Sequence, residues 1–321
     1  MAEPAHALSS RFAPYPQTHL RRAALFLQDA INTVSLASIY LLFATGMSLV
    51  WGTTGILNFA HGSLFLASIY AAHIVALETT LSFAGAIIVG VIVGAVLAVV
   101  LYVVAFNLVL RRVRDKASAE LQILMAGIGF DGLLVAIIAR NTLSEPFGLS
   151  NTTYRTVTYD VFGAFVTNTR IYVVILALAL TTAIGVWAKR TRSGLAMRAI
   201  GVDPEIASLM GVNRGRMTLG IMAISGALAG LTGVLLVYVS AAVVPTTGTN
   251  LLIKGFAIVV LGGVGSMTGV VIGALTLALA ETIINTYTPG TWVNAVAFGL
   301  ILIVLLLRPQ GLFGKKEVRR T

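Results

Sequence analysis

The stretch KRTRSGLAMRAIGVDPEIASLMGVNRGR, residues 189–216, is basic and polar and lies between two long apolar segments. Its sequence predicts a short helix, because Asp203 can cap an N-terminus and Pro204 fits the first helical position. Glu205 follows in the first turn, where a negative charge meets the positive end of the helix dipole. Gly211 stands where a glycine ends many helices. A helix of about two turns is too short to be stable alone, so it must pack against something.

The predicted helix carries a small apolar face, because Ile206, Leu209 and Met210 recur at the spacing of one helix side. Basic residues on both sides hold this helix at the membrane surface. We interpret the face as a docking surface for another protein in the cytoplasm. The competing interpretation is an ordinary connecting loop that contains a turn of helix.

The composition of the chain is that of a polytopic membrane protein. Of its 321 residues, 57% are hydrophobic and 11% are charged, whereas soluble domains are about 25% charged. A span needs about 20 apolar residues, and there is room for about eight or nine spans, the last at 291–307. Backbone groups in lipid must be paired internally, so the spans are expected to be helices and the fold to be all-α.

Basic residues divide the chain into a membrane domain and its cytoplasmic parts. We expect a disordered polar tail at 1–22, a transmembrane domain at 23–314 and a basic cytoplasmic tail at 315–321. The positive-inside rule places three basic segments in the cytoplasm: 111–116, 189–198 and 315–320. This places the N-terminus outside, although Arg21 and Arg22 argue for the inside. The net charge of +10 therefore reports orientation and does not indicate nucleic-acid binding.

Glycine-rich breaks interrupt the apolar pattern twice. The segment GTTGILNFAHG at 52–62 follows the first span, and LGGVGSMTG at 261–269 divides 251–286, which is too long for one span. If that segment crosses twice, the total is about nine crossings, or eight if one piece is re-entrant. The segments 52–77 and 262–281 are compatible with a parallel internal repeat, although glycine-rich breaks are common in membrane helices. We expect the glycines of the second break to be structural: Gly262, Gly263, Gly265 and Gly269.

The first break holds the best candidates for a substrate pathway. Irregular backbone at membrane depth is tolerated only where protein or a water-filled cavity covers it. Asn58, His61 and Gly62 lie on this break, which exposes backbone donors and acceptors of the kind that transporters use at the midplane. The alternative is that Asn58 and His61 hold the break closed by satisfying its free backbone groups.

Three ionisable residues fall within apolar spans, where charge is costly and indicates function by default. Asp131 lies in the middle of a span and joins the pathway candidates. Its alternative is a protonated or hydrogen-bonded acid that packs between helices. Lys254 and Glu281 lie near span ends, where snorkelling or pairing between helices is expected.

The chain lacks the motifs of most enzymes. It has no cysteine and only four histidines, two of them in the N-terminal tail. No HExxH, GxSxG or GxxxxGK[ST] pattern occurs, so we predict no catalytic set, metal site or cofactor, and no ATP hydrolysis by this chain. A membrane-embedded enzyme is therefore disfavoured. A stand-alone secondary transporter stays open, with Asp131 and Glu281 as proton or sodium sites.

Four motifs resemble those of the branched-chain amino-acid ABC transporter permeases of the Liv type. They are LNFAHGS at 57–63, DPEIASLMGVN at 203–213, LGGVGSMTG at 261–269 and RPQGLFG at 308–314. Glu205, Ala207 and Gly211 also fit the E-x-A-x-x-x-G core of the coupling loop of ABC permeases. The similarity runs from about residue 28 to residue 314, in the same order.

The resemblance implies one of two related permease subunits that form a heterodimeric pore in a bacterial-type inner membrane. Two ATP-binding subunits would dock on its cytoplasmic loops, and an extracytoplasmic binding protein would deliver the substrate. The helix at 203–211 would enter a groove on an ATP-binding subunit and couple ATP hydrolysis to alternating access. Family substrates include leucine, isoleucine and valine, and close relatives carry urea, short amides or other amino acids.

Overall fold

The computed structural model describes residues 18–55, 57–113, 115–149 and 152–288, together with 295, 298–299, 302–303, 306, 308 and 311–313. This part of the chain is mostly helical. The helices are α1 Thr18–Thr54, α2 His61–Glu78, α3 Phe83–Leu101, α4 Asn107–Arg112, α5 Lys116–Asn141, α6 Asn168–Arg190, α7 Arg192–Val202, α8 Pro204–Leu209, α9 Arg214–Ser240, α10 Thr247–Gly262 and α11 Met267–Tyr287. A π-helical turn, Tyr102–Phe106, joins α3 to α4.

Within the described residues, six helical stretches are long and apolar enough to cross a membrane: Ala24–Thr54, Phe83–Val109, Ser118–Asn141, Asn168–Arg190, Arg214–Ser240 and Met267–Tyr287. The polytopic helical class is therefore confirmed, whereas the described residues do not establish eight or nine spans. Most of the predicted last span, 291–307, and the basic tail 315–321 lie outside the described residues.

The segment between α5 and α6 corrects the expectation of an all-α chain. It contains two antiparallel strands, β1 Thr158–Val161 and β2 Ala164–Thr167. Phe162 and Gly163 form the two-residue turn between them, and both have positive φ angles, as the preferred hairpin turns require. Asp160 accepts a hydrogen bond from the Gly163 N–H at 2.8 Å and closes this turn.

The predicted boundary of the N-terminal tail is also wrong. Residues 18–22 belong to α1, which reaches Thr54, and residues 1–17 lie outside the described residues. The second glycine break agrees with the prediction, because 263–266 turns the chain between α10 and α11. Gly263 and Gly265 have positive φ angles in this turn, which a residue with a side chain rarely adopts.

The two ends of α1 identify the two sides of the bundle. Near its C-terminal end, Gly52 lies against Gly201 of α7 and Gly265 of the α10–α11 turn. Near its N-terminal end, the Gln28 amide pairs with the Phe165 backbone in β2. The beginning of α1 and the α7–α8 segment therefore lie on opposite sides, as the count of crossings requires.

Close helix contacts through glycine build the core. Helices α3 and α9 run antiparallel, with Gly90 opposite Gly230 and Gly94 opposite Gly226. A Cβ atom on Gly90 would lie 2.9 Å from the Gly230 carbonyl oxygen, so only glycine lets the two backbones approach this closely.

The connections within α1–α2–α3 have the same lengths as those within α9–α10–α11. The α1–α2 connection, 55–60, and the α9–α10 connection, 241–246, each have six residues. The α2–α3 connection, 79–82, and the α10–α11 connection, 263–266, each have four. Ser82 caps α3 by accepting from the N–H three residues on, and Ser266 caps α11 in the same way.

The contact between α2 and α10 gives the sense of this correspondence. A Cβ on Gly62 would lie 2.5 Å from the Gly248 oxygen, and a Cβ on Gly248 would lie 2.5 Å from the Gly62 oxygen. Gly62 also approaches Leu252, and Gly248 approaches Leu66, so the two helices are antiparallel. The correspondence is therefore inverted, and the parallel repeat predicted for 52–77 and 262–281 is not confirmed.

Candidate functional site

Asn58 lies in the break before α2 and is 2% exposed. Its side-chain oxygen accepts a hydrogen bond from the Ala60 N–H at 3.1 Å, which supports the start of the helix. Its Nδ2 is buried and has no hydrogen-bond partner among the described residues. Leaving such a buried donor unpaired costs about 1–3 kcal/mol.

His61, the first residue of α2, is fully buried and has both ring nitrogens occupied. Its Nε2 lies 3.2 Å from the Phe43 carbonyl oxygen in α1, and its Nδ1 lies 3.4 Å from the Ser225 hydroxyl in α9. The Gly248 backbone occupies the space where a side chain on Gly62 would lie. These contacts serve the break itself, and a place for His61 and Gly62 in a substrate pathway stays a prediction.

Asp131 of α5 faces the first turn of α2. Its carboxyl group lies near Ser63, whose hydroxyl donates to the Ala60 carbonyl oxygen at 2.9 Å and whose backbone N–H is one of the amides that a helix start leaves unpaired. The Oδ1 atom of Asp131 is buried and has no hydrogen-bond partner among the described residues. One end of α2 thus has an unpaired donor on Asn58 and an unpaired acceptor on Asp131.

A cavity of about 490 Å³ lies at the far end of α2 and α5. Tyr70 and His73 of α2, Asn141 of α5 and Phe147 line it, and the His73 Nδ1 lies 2.6 Å from the Gly148 carbonyl oxygen. At the other end of the same pair of helices, the backbone around Phe59 passes Gly127 of α5. The α2–α5 contact therefore extends from this cavity to Asn58 and Asp131.

Of the two explanations expected for Lys254 and Glu281, snorkelling or pairing between helices, the structure shows pairing, and the two residues pair with each other. The Lys254 Nζ donates to Glu281 Oε1 at 2.7 Å and to the Tyr40 hydroxyl at 2.8 Å. Tyr40 donates to Glu281 Oε2 at 2.5 Å, so both carboxylate oxygens are occupied. The triad ties α1, α10 and α11 together. Sequence reasoning missed Tyr40, because only tertiary structure brings a hydroxyl to this pair.

The short helix α8 has the local structure that the sequence predicts. Asp203 caps it by accepting from the N–H groups of Glu205 and Ile206, each at 3.0 Å, and Pro204 is its first residue. The residue Gly211 has a φ angle of +83°.

The predicted apolar face of α8 points away from the bundle. Leu209 is 86% exposed and Met210 is 81% exposed, while Ile206 is 49% exposed. Ala207 is only 3% exposed and faces inward. The coupling role of these residues stays a prediction.

Backbone contacts connect α8 to the core. α7 leads into α8, and a Cβ on its Gly201 would overlap the Gly52 carbonyl oxygen. A Cβ on Gly52 would in turn lie 2.8 Å from the Gly265 Cα atom. Beside this joint, the Leu312 N–H donates to the Leu261 carbonyl oxygen at 2.8 Å.

The predicted break glycines thus divide into two roles. Gly262 and Gly269 let α10 and α11 touch backbone to backbone, and Gly263 and Gly265 make the turn. Gly201 carries no motif in the sequence, although it lies within the basic stretch 189–216.

The fold is a bundle of apolar helices with glycine breaks in its core and the exposed, capped helix α8 on one side. These are the features of a polytopic membrane permease. A sequence model of the family described as the permease component of branched-chain amino acid transport systems matches residues 30–305, and the chain belongs to that family. The resemblance read from the motifs is confirmed.

Curated relatives extend over nearly the whole chain. The high-affinity branched-chain amino acid transport system permease protein LivH of Salmonella typhimurium is 30% identical, covering 92% of this chain and 97% of LivH. The permease protein BraD of Pseudomonas aeruginosa, named for the same kind of system, is 28% identical, covering 92% of this chain and 98% of BraD.

A solved structure supports the fold. It is described as a metal-chelate type ABC transporter in an inward-facing conformation, and it matches with a TM-score of 0.51 and 12% identity. The match covers 92% of this chain and 91% of that chain.

Proposed function

We propose that this chain is the membrane-spanning permease subunit of an ATP-driven importer of branched-chain amino acids. The match to the permease family over residues 30–305 is the observation that carries the proposal. The sequence has no P-loop, so ATP hydrolysis belongs to two ATP-binding partner subunits. A second permease subunit completes the pore, and an extracytoplasmic binding protein delivers the substrate.

Helix α8 is the proposed contact with an ATP-binding subunit, on the cytoplasmic side of the inner membrane. Leu209 and Met210 expose apolar side chains that a groove on the partner would cover. Burying a large apolar side chain contributes about 1.5–3 kcal/mol, so these two contribute about 3–6 kcal/mol before the costs of association.

Movement of α8 reaches the substrate path through the backbone joint of α7 with α1 and the α10–α11 turn. Gly201 and Gly265 both touch Gly52. A displacement of α7 therefore displaces together the ends of α1, α10 and α11 that lie on the side of α8. Backbones in direct contact have no flexible side chain between them to absorb the displacement. This joint is therefore the proposed route from ATP hydrolysis to alternating access.

The substrate path is proposed to follow the α2–α5 contact. An amino acid is a zwitterion, and the unpaired Asn58 Nδ2 suits its carboxylate while the unpaired Asp131 Oδ1 suits its ammonium group. A neutral substrate such as urea or a short amide has no ammonium group for Asp131, so this pair of side chains favours amino acids over that alternative. Both oxygens of Glu281 are already bonded, which disfavours the alternative of an ion-coupled transporter that uses Glu281.

We also propose nine passes through the membrane, with the N-terminus outside and the C-terminus in the cytoplasm. Thr286 at the end of α11 bonds to Asp29 near the beginning of α1, at 2.9 Å, on the side away from α8. Leu312 lies against Leu261 on the side of α8. These two contacts lie on opposite sides of the bundle, which supports one further crossing in the predicted span 291–307.

The test is co-purification of the tagged chain with its partners from gently solubilised membranes. Glu205→Arg, which reverses a charge beside the apolar face of α8, is expected to remove the ATP-binding subunits and ATP-driven leucine uptake. Glu145→Arg is the matched control, because Glu145 is an exposed acid in the α5–β1 segment on the other side of the bundle. A chain that purifies alone and moves solute under an ion gradient contradicts the proposal.

A further inference from the structure

A second cavity, of about 460 Å³, lies on the side of the bundle where α8 is found. It opens between the end of α6, the beginning of α7 and the first turns of α9. Trp187, Arg192 and Arg216 are among the residues that line it, and its deeper wall includes Gly220, Ile221 and Ile224. The cavity thus has a basic rim and an apolar interior between two membrane-spanning helices.

The two arginines of the rim carry charge that the described part of the chain does not neutralise. Both are exposed, and neither forms an ion pair with a carboxylate in the part of the chain that the structure describes. Arg216 also lies in the first turn of α9, where the helix dipole repels a cation. Its position therefore costs helix stability, and the cost is offset if an anion is held beside it.

The dimensions of the cavity fit a lipid. From Arg216 to Ile224 the wall extends over nine residues of α9, and the eight steps between them span about 12 Å of helix. Gly220 leaves this wall open, since a Cβ built there would meet no atom within 4 Å. Trp187, three residues before the end of α6, lies where aromatic side chains meet the lipid headgroups.

We propose that this cavity binds an anionic phospholipid of the inner leaflet. The phosphate lies between Arg192 and Arg216, and one acyl chain follows the groove past Gly220. An acidic side chain from a protein partner satisfies the arginines but leaves the apolar interior empty, which favours a lipid as the occupant. The cavity borders the end of α8, since Gly211, Val212 and Asn213 also line it, and its assignment to the inner leaflet rests on the proposed cytoplasmic position of α8.

The experiment measures retention of phosphatidylglycerol by the purified full chain in detergent, with native mass spectrometry and the melting temperature as readouts. We expect phosphatidylglycerol to bind and raise the melting temperature, and phosphatidylcholine to do neither. The double variant Arg192→Gln/Arg216→Gln is expected to weaken this binding by about tenfold or more. Lys189→Gln/Arg190→Gln removes the same charge from exposed residues that do not line the cavity, and it should bind as the parent chain does.

A second variant tests the acyl groove without changing charge. Gly220→Leu fills the apolar interior and should reduce retention of phosphatidylglycerol as strongly as the double arginine variant. Equal weakening in the two double variants overturns the proposal, as does inorganic phosphate that gives the same rise in melting temperature as the lipid. Loss of the ATP-binding subunits from the double arginine variant, with lipid retention unchanged, assigns the arginines to protein docking and also overturns it.

Discussion

Gly52→Ala tests the backbone joint between α7, α1 and the α10–α11 turn. A Cβ at this position would lie 2.8 Å from the Gly265 Cα atom, whereas carbon atoms in contact prefer about 3.5–4.0 Å. The turn must therefore move away by about 0.7 Å or more, since the atom in the way is backbone and has no rotamer to change.

The energetic cost of this substitution is large enough to disturb coupling and too small to unfold the chain. Overpacking costs about 1–3 kcal/mol, and alanine in a helix regains about 1 kcal/mol over glycine. The net destabilisation is about 0–2 kcal/mol, against a typical total stability of about 5–15 kcal/mol. If the whole difference falls on one conformational state, the equilibrium between states shifts by up to about thirtyfold.

The assay compares ATP hydrolysis with substrate uptake in liposomes that contain the permease, its ATP-binding subunits and the binding protein. We expect Gly52→Ala to keep its partners and hydrolyse ATP while moving less substrate per ATP. Gly185→Ala in α6 is the control, because a Cβ there meets no atom within 4 Å. Unchanged uptake per ATP in Gly52→Ala, or an equal loss in Gly185→Ala, refutes a role for the joint.

Three further predictions concern other parts of the molecule. Gly211→Leu should separate ATP hydrolysis from transport or dissociate the complex, because a bulky residue resists the positive φ angle at the end of α8; docking and uptake that both survive would remove the coupling assignment. Lys254→Met should lower stability by about 3–5 kcal/mol by leaving Glu281 without its cation, whereas Lys254→Met/Glu281→Leu should recover most of it; additive losses in melting experiments contradict this. Asp131→Asn and Asn58→Leu should each reduce leucine uptake while the ATP-binding subunits still co-purify, and normal uptake in both variants excludes them from the pathway.

The features that the sequence predicts well depend on neighbouring residues. The cap at Asp203, the proline that follows it and the turn at Gly211 act within one short helix, so their spacing is sufficient. The glycines within 263–266 likewise indicate a turn between two apolar segments. The hairpin at Thr158–Thr167 also had a local signal, the Phe162–Gly163 turn between short β-prone segments, and the polar surroundings obscured it.

The features that the sequence does not predict depend on contacts between distant segments. Tyr40 and Gly201 carry no motif, and their roles appear only when α1 lies beside α11 and α7. The parallel repeat is not confirmed, because its sense depends on such contacts. Two glycine breaks look alike in composition, and only the antiparallel contact at Gly62 and Gly248 shows which helices correspond.

The inverted correspondence has a consequence for the shapes that this chain can adopt. If α1–α3 took the geometry of α9–α11, and α9–α11 took that of α1–α3, the bundle would present its opposite side to the same path. Under this exchange Gly62 takes the place of Gly248, and Gly248 takes the place of Gly62. Their reciprocal contact is therefore preserved. We propose that this exchange, about a pivot of two glycines, relates two conformers of the bundle.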